Sequence, residues 1–238
     1  MTLTIIIPVY NESKTVLDVL RDVTHLALPE KVNKQIIVVN DGSTDGSNEK
    51  IQSFAKKQKN IDYISLQDNH GKGFAIREGL QKARGEYIVV QDADKEYAPR
   101  DLVSMVDKML ASPGTVIYGD RRKRVTNGSF GERLLFMTHN IGNMGLTGIT
   151  WLLYGRHLVD GATCYKMFPR EKIKDITFTA EKFDFDTELT AHLLKIGCTF
   201  ISVPISFTPR GYKDGKKLNA IVEGPKALWT LFRVRFFS

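Results

Sequence analysis

Apolar positions in the first half of the chain alternate between two periods. Thr4–Ile7 is an unbroken apolar run, too apolar for a strand wetted on one face, and predicts a strand buried on both. Gln35–Val39 predicts a second buried strand, and Tyr63–Leu66, Glu86–Gln91 and Val116–Tyr118 predict a third, a fourth and a fifth strand. Between the first two runs, Val16, Leu20, Val23 and Ala27 fall at three- and four-residue steps, as in a helix lying on a sheet. Residues 44–57 predict a second helix with Ser43 or Thr44 as its cap. A third spans 71–83, stopped by Gly85, and Pro99 opens a fourth with Leu102, Val103, Val106 and Leu110 facing inward.

Strand and helix in strict alternation predict an α/β fold: a mostly parallel central sheet with helices on both faces. Ligands in such sheets sit beyond the carboxyl ends of the strands. That rule directs attention to Tyr10-Asn11-Glu12, Asn40-Asp41-Gly42 and Asp92-Ala93-Asp94. After about residue 119 the pattern loosens. Phe130, Leu134, Met137, Ile141 and Met144 form one apolar helical stripe, and the stretch Trp151–Tyr154 is apolar and aromatic. A helix is expected near 183–195 and paired strand-like runs at 199–203 and 205–208. The tail ends in an amphipathic helix with Leu228, Leu231, Phe232 and Phe236 on one side, widened by Trp229 and flanked by Lys226, Arg233 and Arg235. No flexible linker separates the halves, so they are expected to pack as one unit.

Composition narrows the picture only slightly. A chain of 238 residues with 42% hydrophobic and 26% charged residues buries a core without disulfide or metal staples. Cys164 and Cys198 lack any paired ligand spacing, which excludes zinc fingers and redox pairs and fits free thiols in a reducing compartment. The net charge of +7 favours polyanions: nucleic acid, anionic lipid or phosphorylated small molecules. No leader peptide is read at Met1, and no apolar stretch reaches the ~20 residues of a spanning helix. The expectation is a cytoplasmic protein that touches a membrane peripherally without crossing it.

Asp92 and Asp94 stand one residue apart at a strand exit, where both can reach one divalent cation, and Glu96 can add a third oxygen. Such hard oxygen ligands suit Mg2+ or Mn2+, which keep positions open for substrate phosphates. Asp41, at the second strand's exit, is placed to accept from a base or a ribose hydroxyl, and Gly42 admits a close backbone approach. Gly71-Lys72-Gly73 lacks the spacing and the Ser/Thr of a Walker loop, which excludes that ATPase motif, but Lys72 can still line a nucleotide site.

Ile7-Pro8-Val9-Tyr10-Asn11-Glu12, Val39 through Gly46, Gly71-Lys72-Gly73 and Gln91-Asp92-Ala93-Asp94 together resemble the family 2 glycosyltransferases of the GT-A (Rossmann-like) fold. Asp94 through Pro99, Gly119-Asp120-Arg121, Asp160 through Lys166, Pro204 through Arg210 and Gly215-Lys216-Lys217 are most similar to the dolichol-phosphate mannose synthase branch and its polyprenyl-phosphate relatives. The resemblance implies a nucleotide-sugar-binding half over 1–118, an acceptor-side half over 119–210, and a basic loop with the C-terminal helix over 211–238. It implies that Pro8, Tyr10 and Glu12 line the nucleotide, that Asp41 holds its base, and that Asp92, Asp94 and Glu96 form a Mg2+ or Mn2+ centre. Arg121, Arg210 and Lys216 would face donor or acceptor phosphates. Asp184, Asp186 and Glu188 lie where many members carry an acidic acceptor-side motif. Where the family has Asp-Asp after the second strand, this chain has Asn40-Asp41.

The implied reaction is inverting transfer of a hexose from GDP-mannose or a UDP-hexose to a dolichyl or undecaprenyl phosphate. A metal with Arg and Lys would offset charge on the leaving diphosphate. An anionic phosphate acceptor needs no general base, whereas a saccharide hydroxyl, the rival acceptor, needs a carboxylate. A sugar-nucleotide pyrophosphorylase is disfavoured because no glycine-rich triphosphate loop follows the first strand. A non-catalytic nucleotide-sugar or nucleic-acid binding module is disfavoured by the paired aspartates, and nucleic acid is not an expected partner.

Overall fold

The computed structural model describes residues 1–121, 145–210 and 220–237. Seven strands form one sheet: β1 (Thr2–Val9), β2 (Asn33–Asp41), β3 (Ile61–Leu66), β4 (Tyr87–Val90), β5 (Val116–Asp120), β6 (Lys166–Pro169) and β7 (Phe200–Pro204), in the order β3-β2-β1-β4-β6-β5-β7. All paired neighbours run parallel except at β6, which is antiparallel to both β4 and β5. The helices are α1 (Val16–His25), α2 (Ser47–Ala55), α3 (Lys72–Lys82), α4 (Asp101–Ala111), α5 (145–154), α6 (Phe185–Lys195) and α7 (Ala220–Phe237).

The apolar runs do what their composition demands. Leu3, Ile5 and Ile7 point into a core shared with Val19, Leu20, Met105 and Val106, on the α1 and α4 side. Ile6, Ile37 and Val39 point the other way, onto Ala75, Ile76 and Leu189 of α3 and α6. Both faces of the sheet are therefore covered, as parallel strands require. The sheet draws strands from both halves of the chain, because β6 is inserted between β4 and β5 and β7 pairs with β5.

Several expectations shift. Helix α2 begins at Ser47, not at Thr44, because Gly46 with φ 85° turns the chain there and the Asp45 carboxylate accepts from the Ser47 N–H at 3.0 Å. Helix α1 stops at His25, leaving Ala27 exposed. In α4 the inward positions are Leu102, Met105, Val106 and Met109, while Leu110 is 36% exposed, a register set by packing on β5 and β7. Residues 205–208 form no strand: Ile205 and Phe207 are buried, but only an isolated bridge between Phe207 and Tyr97 forms. β6 had no strand signature in the sequence. It is four residues long, opens on a lysine and closes on a proline. The stripe from Phe130 to Met144 and residue Lys216 lie outside the described residues.

At the exit of β2 the backbone turns with Gly42 at φ 64°, and a Cβ there would stand 2.4 Å from the Asp68 carbonyl carbon. This contact seats the loop after β3 against the end of β2. Gly42→Ala combines a disfavoured φ with that clash, so it should cost roughly 1–3 kcal/mol. Thermal denaturation should show a melting temperature lower by about 2–4 °C per kcal/mol. An unchanged midpoint would mean the loop yields without cost.

Candidate active site

Three parallel strands end at one edge, and their exit loops are stitched together. Asn11, with φ 48°, donates its N–H to Ser43 Oγ at 3.0 Å and accepts the Thr44 N–H on its own Oδ1 at 2.8 Å. Glu12 N–H donates to Ser47 Oγ and Ser13 N–H to Asp45 Oδ2, both at 2.9 Å. The exit of β1 is thus pinned to the entry of α2. Above this edge lies a cleft of about 880 Å³ lined by Pro8, Tyr10, Glu12, Asp41, Lys72, Asp92, Asp94, Glu96, Arg121 and Arg210. Apart from Glu188, the sequence-derived candidates that fall within the described residues therefore converge on one cleft.

Their partners differ from the simplest expectation. Asp41 is buried, and its two carboxylate oxygens accept the N–H groups of His70 and Gly71 at 2.9 and 2.8 Å. Burial raises its pKa against the lowering effect of those two donors. Asp41 therefore fixes the start of α3. Gly71, with φ 101°, sits where a Cβ would be 2.5 Å from the Glu181 carbonyl oxygen, so this turn also locks onto the segment before α6.

The two acids after β4 face different cations. Asp92 Oδ1 lies 2.7 Å from Lys72 Nζ, which also lies 3.5 Å from Asp186 Oδ2. Burial alone would lower the Lys72 pKa, but Asp92, the Cys164 sulfur and Asp186 hold it well above its usual value. Behind Asp186 stands Lys166, 1% exposed, whose ammonium donates to the Asp186 main-chain oxygen at 2.6 Å and lies 3.7 Å from its carboxylate. Burial lowers the Lys166 pKa. An alternating chain of Asp92, Lys72, Asp186 and Lys166 thus runs from the cleft floor into the core.

Asp94 belongs to a second group. Its Oδ2 is 2.7 Å from Arg210 Nη2, and the same guanidinium donates to both Glu12 oxygens at 3.1 and 3.3 Å. The Arg210 main-chain N–H donates to Glu96 Oε1 at 2.8 Å. Burial, then the charges of Asp92 and Glu96, push the Asp94 carboxyl up to about 7 against the pull of Arg210. Among the described residues no three His, Cys, Asp or Glu side chains are gathered to hold an ion by themselves. Asp94, Glu96 and Glu12 instead gather around a cationic side chain, hard oxygens facing a positive charge. That donor set suits Mg2+ or Mn2+ with substrate phosphates completing the shell.

Arg121 is committed on one side. Its Nε and Nη2 each donate to Asp160 at 2.7 Å, and Nη1 lies 3.4 Å from the Tyr97 hydroxyl. Of the three acids near α6, Glu188 is fully engaged: it accepts from Thr179, Ala180 and Arg233, the last at 2.6 Å. Burial would raise its pKa, but the Ala180 N–H, Arg233 and Thr179 outweigh it and lower it. Glu188 therefore anchors α7 to α6. Asp184 and Asp186 do line the cleft. Asp160 and Lys166 bound a segment that carried the family resemblance, but their pairings with Arg121 and Asp186, like that of Glu12 with Arg210 beside Asp94, had no sequence signal, because each joins residues far apart in the chain.

The cleft walls are apolar where they reach the surface. Leu146 and Ile149 of α5 face Pro225, Ala227 and Leu228 of α7 across it. Leu231 and Val234 of α7 are buried on Ala191, with Leu146, Leu153 and Tyr154 alongside. Leu231, expected on the open apolar side, is thus part of the docking face. Trp151, Leu152, Trp229, Phe232, Phe236 and Phe237 remain 41–77% exposed. No helix among the described residues is long and apolar enough to cross a membrane.

Comparison with known proteins agrees with this geometry. The profile described as glycosyl transferase family 2 matches residues 4–177. The glycosyltransferase AglJ of Haloferax volcanii is 27% identical over 230 residues, 96% of this chain and 70% of the relative. A dolichyl-phosphate beta-glucosyltransferase of Dictyostelium discoideum is 28% identical over 247 residues, 98% of this chain and 74% of the relative. Among solved structures, glucosyl-3-phosphoglycerate synthase of Mycobacterium tuberculosis, in complex with Mn2+, UDP and phosphoglyceric acid, superposes with a TM-score of 0.68 at 17% identity. That match covers 100% of this chain and 79% of the other, and it shows a common GT-A fold.

A carboxyl held above its unfolded value of about 3.9 takes up a proton on folding. Asp94 therefore costs stability progressively as pH rises from about 4 to about 7, and fully above that. Asp94→Asn should melt higher than the wild type at pH 8, by about 2–4 °C per kcal/mol relieved, with the difference closing toward pH 4. A variant that melts lower at pH 8 would show that the ionised carboxylate is a net stabiliser.

Proposed function

Because the chain belongs to glycosyl transferase family 2, and is a hexosyltransferase with the GT-A fold, we propose that it transfers a hexose with inversion from a nucleoside-diphosphate sugar to a polyprenyl phosphate at a membrane surface. The observation that carries this reading is the form of the cleft. Its floor is ionic, and its walls turn apolar where Leu146 and Ile149 face Pro225 and Leu228. A molecule with one charged end and a hydrocarbon body matches that gradient. The exposed aromatic residues of α5 and α7 beside the opening suit a lipid interface. The dolichyl-phosphate acceptor in the name of the Dictyostelium relative supports the same chemistry.

In this reading Pro8, Tyr10 and the turn held by Asp41 seat the nucleoside, and the diphosphate lies toward Asp94 and Arg210. Asp94 and Glu96, with Asp92 behind them, would hold a divalent Mg2+ or Mn2+ ion, which when bound offsets charge on the leaving diphosphate. The acceptor phosphate is placed by Arg121, which lines the cleft with its guanidinium held between Asp160 and the Tyr97 hydroxyl, and by Lys216, which lies outside the described residues. One phosphate oxygen forms the bond to the anomeric carbon while the bond from that carbon to the diphosphate breaks. The electron pair leaves with the nucleoside diphosphate, and no proton has to be removed from the acceptor. Single displacement inverts the anomeric centre.

A saccharide acceptor is the second reading, and Asp184 is the residue that favours it. It lines the cleft at the N-cap of α6 and makes no side-chain capping bond there. Asp186 is held between Lys72 and Lys166, and Glu188 anchors α7, so Asp184 is the better placed of the three to act as a base. Release of nucleoside diphosphate from GDP-mannose, UDP-glucose and UDP-N-acetylglucosamine, with a short polyprenyl phosphate, a neutral polyprenol or a free sugar, separates the two. The phosphate should turn over about 100-fold faster than the neutral acceptors or more, the scale of a lost charge-stabilising contact. Asp184→Asn should leave that rate within a few-fold, and Asp94→Ala should abolish it. A faster neutral saccharide, with Asp184→Asn inactive, would replace this reading with the second.

A further inference from the structure

We propose that Arg210 is the resident cation of the divalent-ion site. Its guanidinium holds Glu12 and Asp94 in the free protein and leaves Asp94 when an ion takes that carboxylate, so ion uptake and release of Arg210 are a single exchange. The proposal rests on the reading that Asp94 is an ion ligand.

The geometry supports the exchange. Arg210 Nη2 contacts Asp94 Oδ2 at 2.7 Å, a charge-assisted contact at the oxygen a divalent ion would need. Two cations do not share that oxygen without strong repulsion in a half-buried site. Arginine does not lose its proton in proteins, so its charge is withdrawn only by moving the side chain. The fit of Arg210 is also incomplete. Its Nε is buried with no hydrogen-bond acceptor and lies 3.9 Å from Glu96 Oε1. A purely structural arginine would be expected to satisfy that donor, as buried polar groups do.

Movement of the side chain need not disturb the backbone. The Thr208 N–H donates to the Glu96 main-chain oxygen at 3.0 Å, and the Arg210 N–H donates to Glu96 Oε1 at 2.8 Å. The main chain at 208–210 is thus moored to the loop after β4 while the guanidinium reaches across to Glu12. When it leaves Asp94, the nearest new anion it would meet in the cleft is the donor diphosphate. A diphosphate that captures Arg210 strengthens ion binding, and by linkage the ion strengthens diphosphate binding by the same factor. The free protein should therefore bind the ion weakly, and the ion and donor should bind with mutual reinforcement.

The test needs no turnover. Mn2+ binding is measured by calorimetry and by the loss of the free-ion electron paramagnetic resonance signal. Wild type, Arg210→Met, Arg210→Lys and Asp94→Asn are compared, first without nucleotide and then with UDP or GDP, and melting curves confirm folding. Without nucleotide, Arg210→Met should bind Mn2+ about tenfold more tightly than wild type, and Arg210→Lys, which cannot bridge two carboxylates with a fork, should fall between. The nucleotide that binds should raise Mn2+ affinity by a larger factor in wild type than in Arg210→Met. If Arg210→Met does not fold, Arg210→Lys carries the comparison alone. Equal or weaker Mn2+ binding in the folded Arg210 variants, with Asp94→Asn abolishing binding throughout, overturns the exchange and leaves the ion site standing. Mn2+ binding that survives Asp94→Asn places the ion elsewhere and removes both.

Discussion

The register of three parallel strands is the constraint from which the site follows. β1 pairs with β2 so that Val9 lies opposite Asn40, and with β4 so that Ile6 lies opposite Val90. All three strands are packed on both faces, so a slip by one residue would turn every apolar side chain to the wrong core. The strand ends are therefore fixed to within a residue, and so are the side chains just beyond them. Glu12, Asp41, Asp92 and Asp94 reach a common cleft because the apolar residues before them have no other register. Asp41 adds two bonds to the start of α3, whereas Asp94 opposes folding at neutral pH. Hydrophobic packing holds together a group of charges that would otherwise move apart.

That tension explains the distribution of cations inside the protein. The chain carries a net charge of +7, yet the cleft floor is rich in carboxylates. The neutralising charges are internal and come from distant parts of the chain: Lys72 from the start of α3, Lys166 from β6, and Arg210 from beyond β7. Each sits beside a particular acid rather than above a general negative surface. The surface excess of lysine and arginine therefore says little about the chemistry of the site, whereas the few buried cations say a great deal. The salt bridge between Arg233 and Glu188 obeys the same rule at the back of the cleft, where it fixes the helix that forms one wall.

What was legible in the sequence divides along the same line. β1, β2, β4 and β5 could be read because a strand buried on both faces leaves an apolar run, and the edge strand β3 because Ile61, Tyr63, Ile64 and Leu66 keep a strand-like composition. The acids at their exits could be read because strand ends are where such folds bind ligands. β6 could not be read, since four residues that open on Lys166 and close on Pro169 are too short to show a period, although all four are buried. Residues 205–208 misled for the opposite reason: Ile205 and Phe207 are apolar to fill the core around Tyr97 and Gly119, not to join a ladder. The pairings within the site were illegible in principle. Arg210 and Asp94 are separated by 116 positions, and nothing local in either segment names the other. Arg210 was expected to face phosphates, and in the free protein its guanidinium faces the carboxylates of Glu12 and Asp94.

The C-terminal helix carries more apolar surface than its docking contact covers. An amphipathic helix either docks on a core or lies on a membrane, if its apolar stripe is narrow enough to serve only one. In α7 the apolar surface is wider than one contact needs. Leu231 and Val234 dock on α6 and α5, and Leu228, Trp229, Phe232 and Phe236 remain outside. The docked residues keep Leu228 at the mouth of the cleft, so whatever meets the outer residues also meets the opening. Arg233 holds this arrangement through Glu188, one of the three acids expected on the acceptor side. Its carboxylate anchors one wall of the cleft, and with the proposed polyprenyl phosphate as acceptor that anchoring would matter more than proton removal, because such an acceptor arrives already charged.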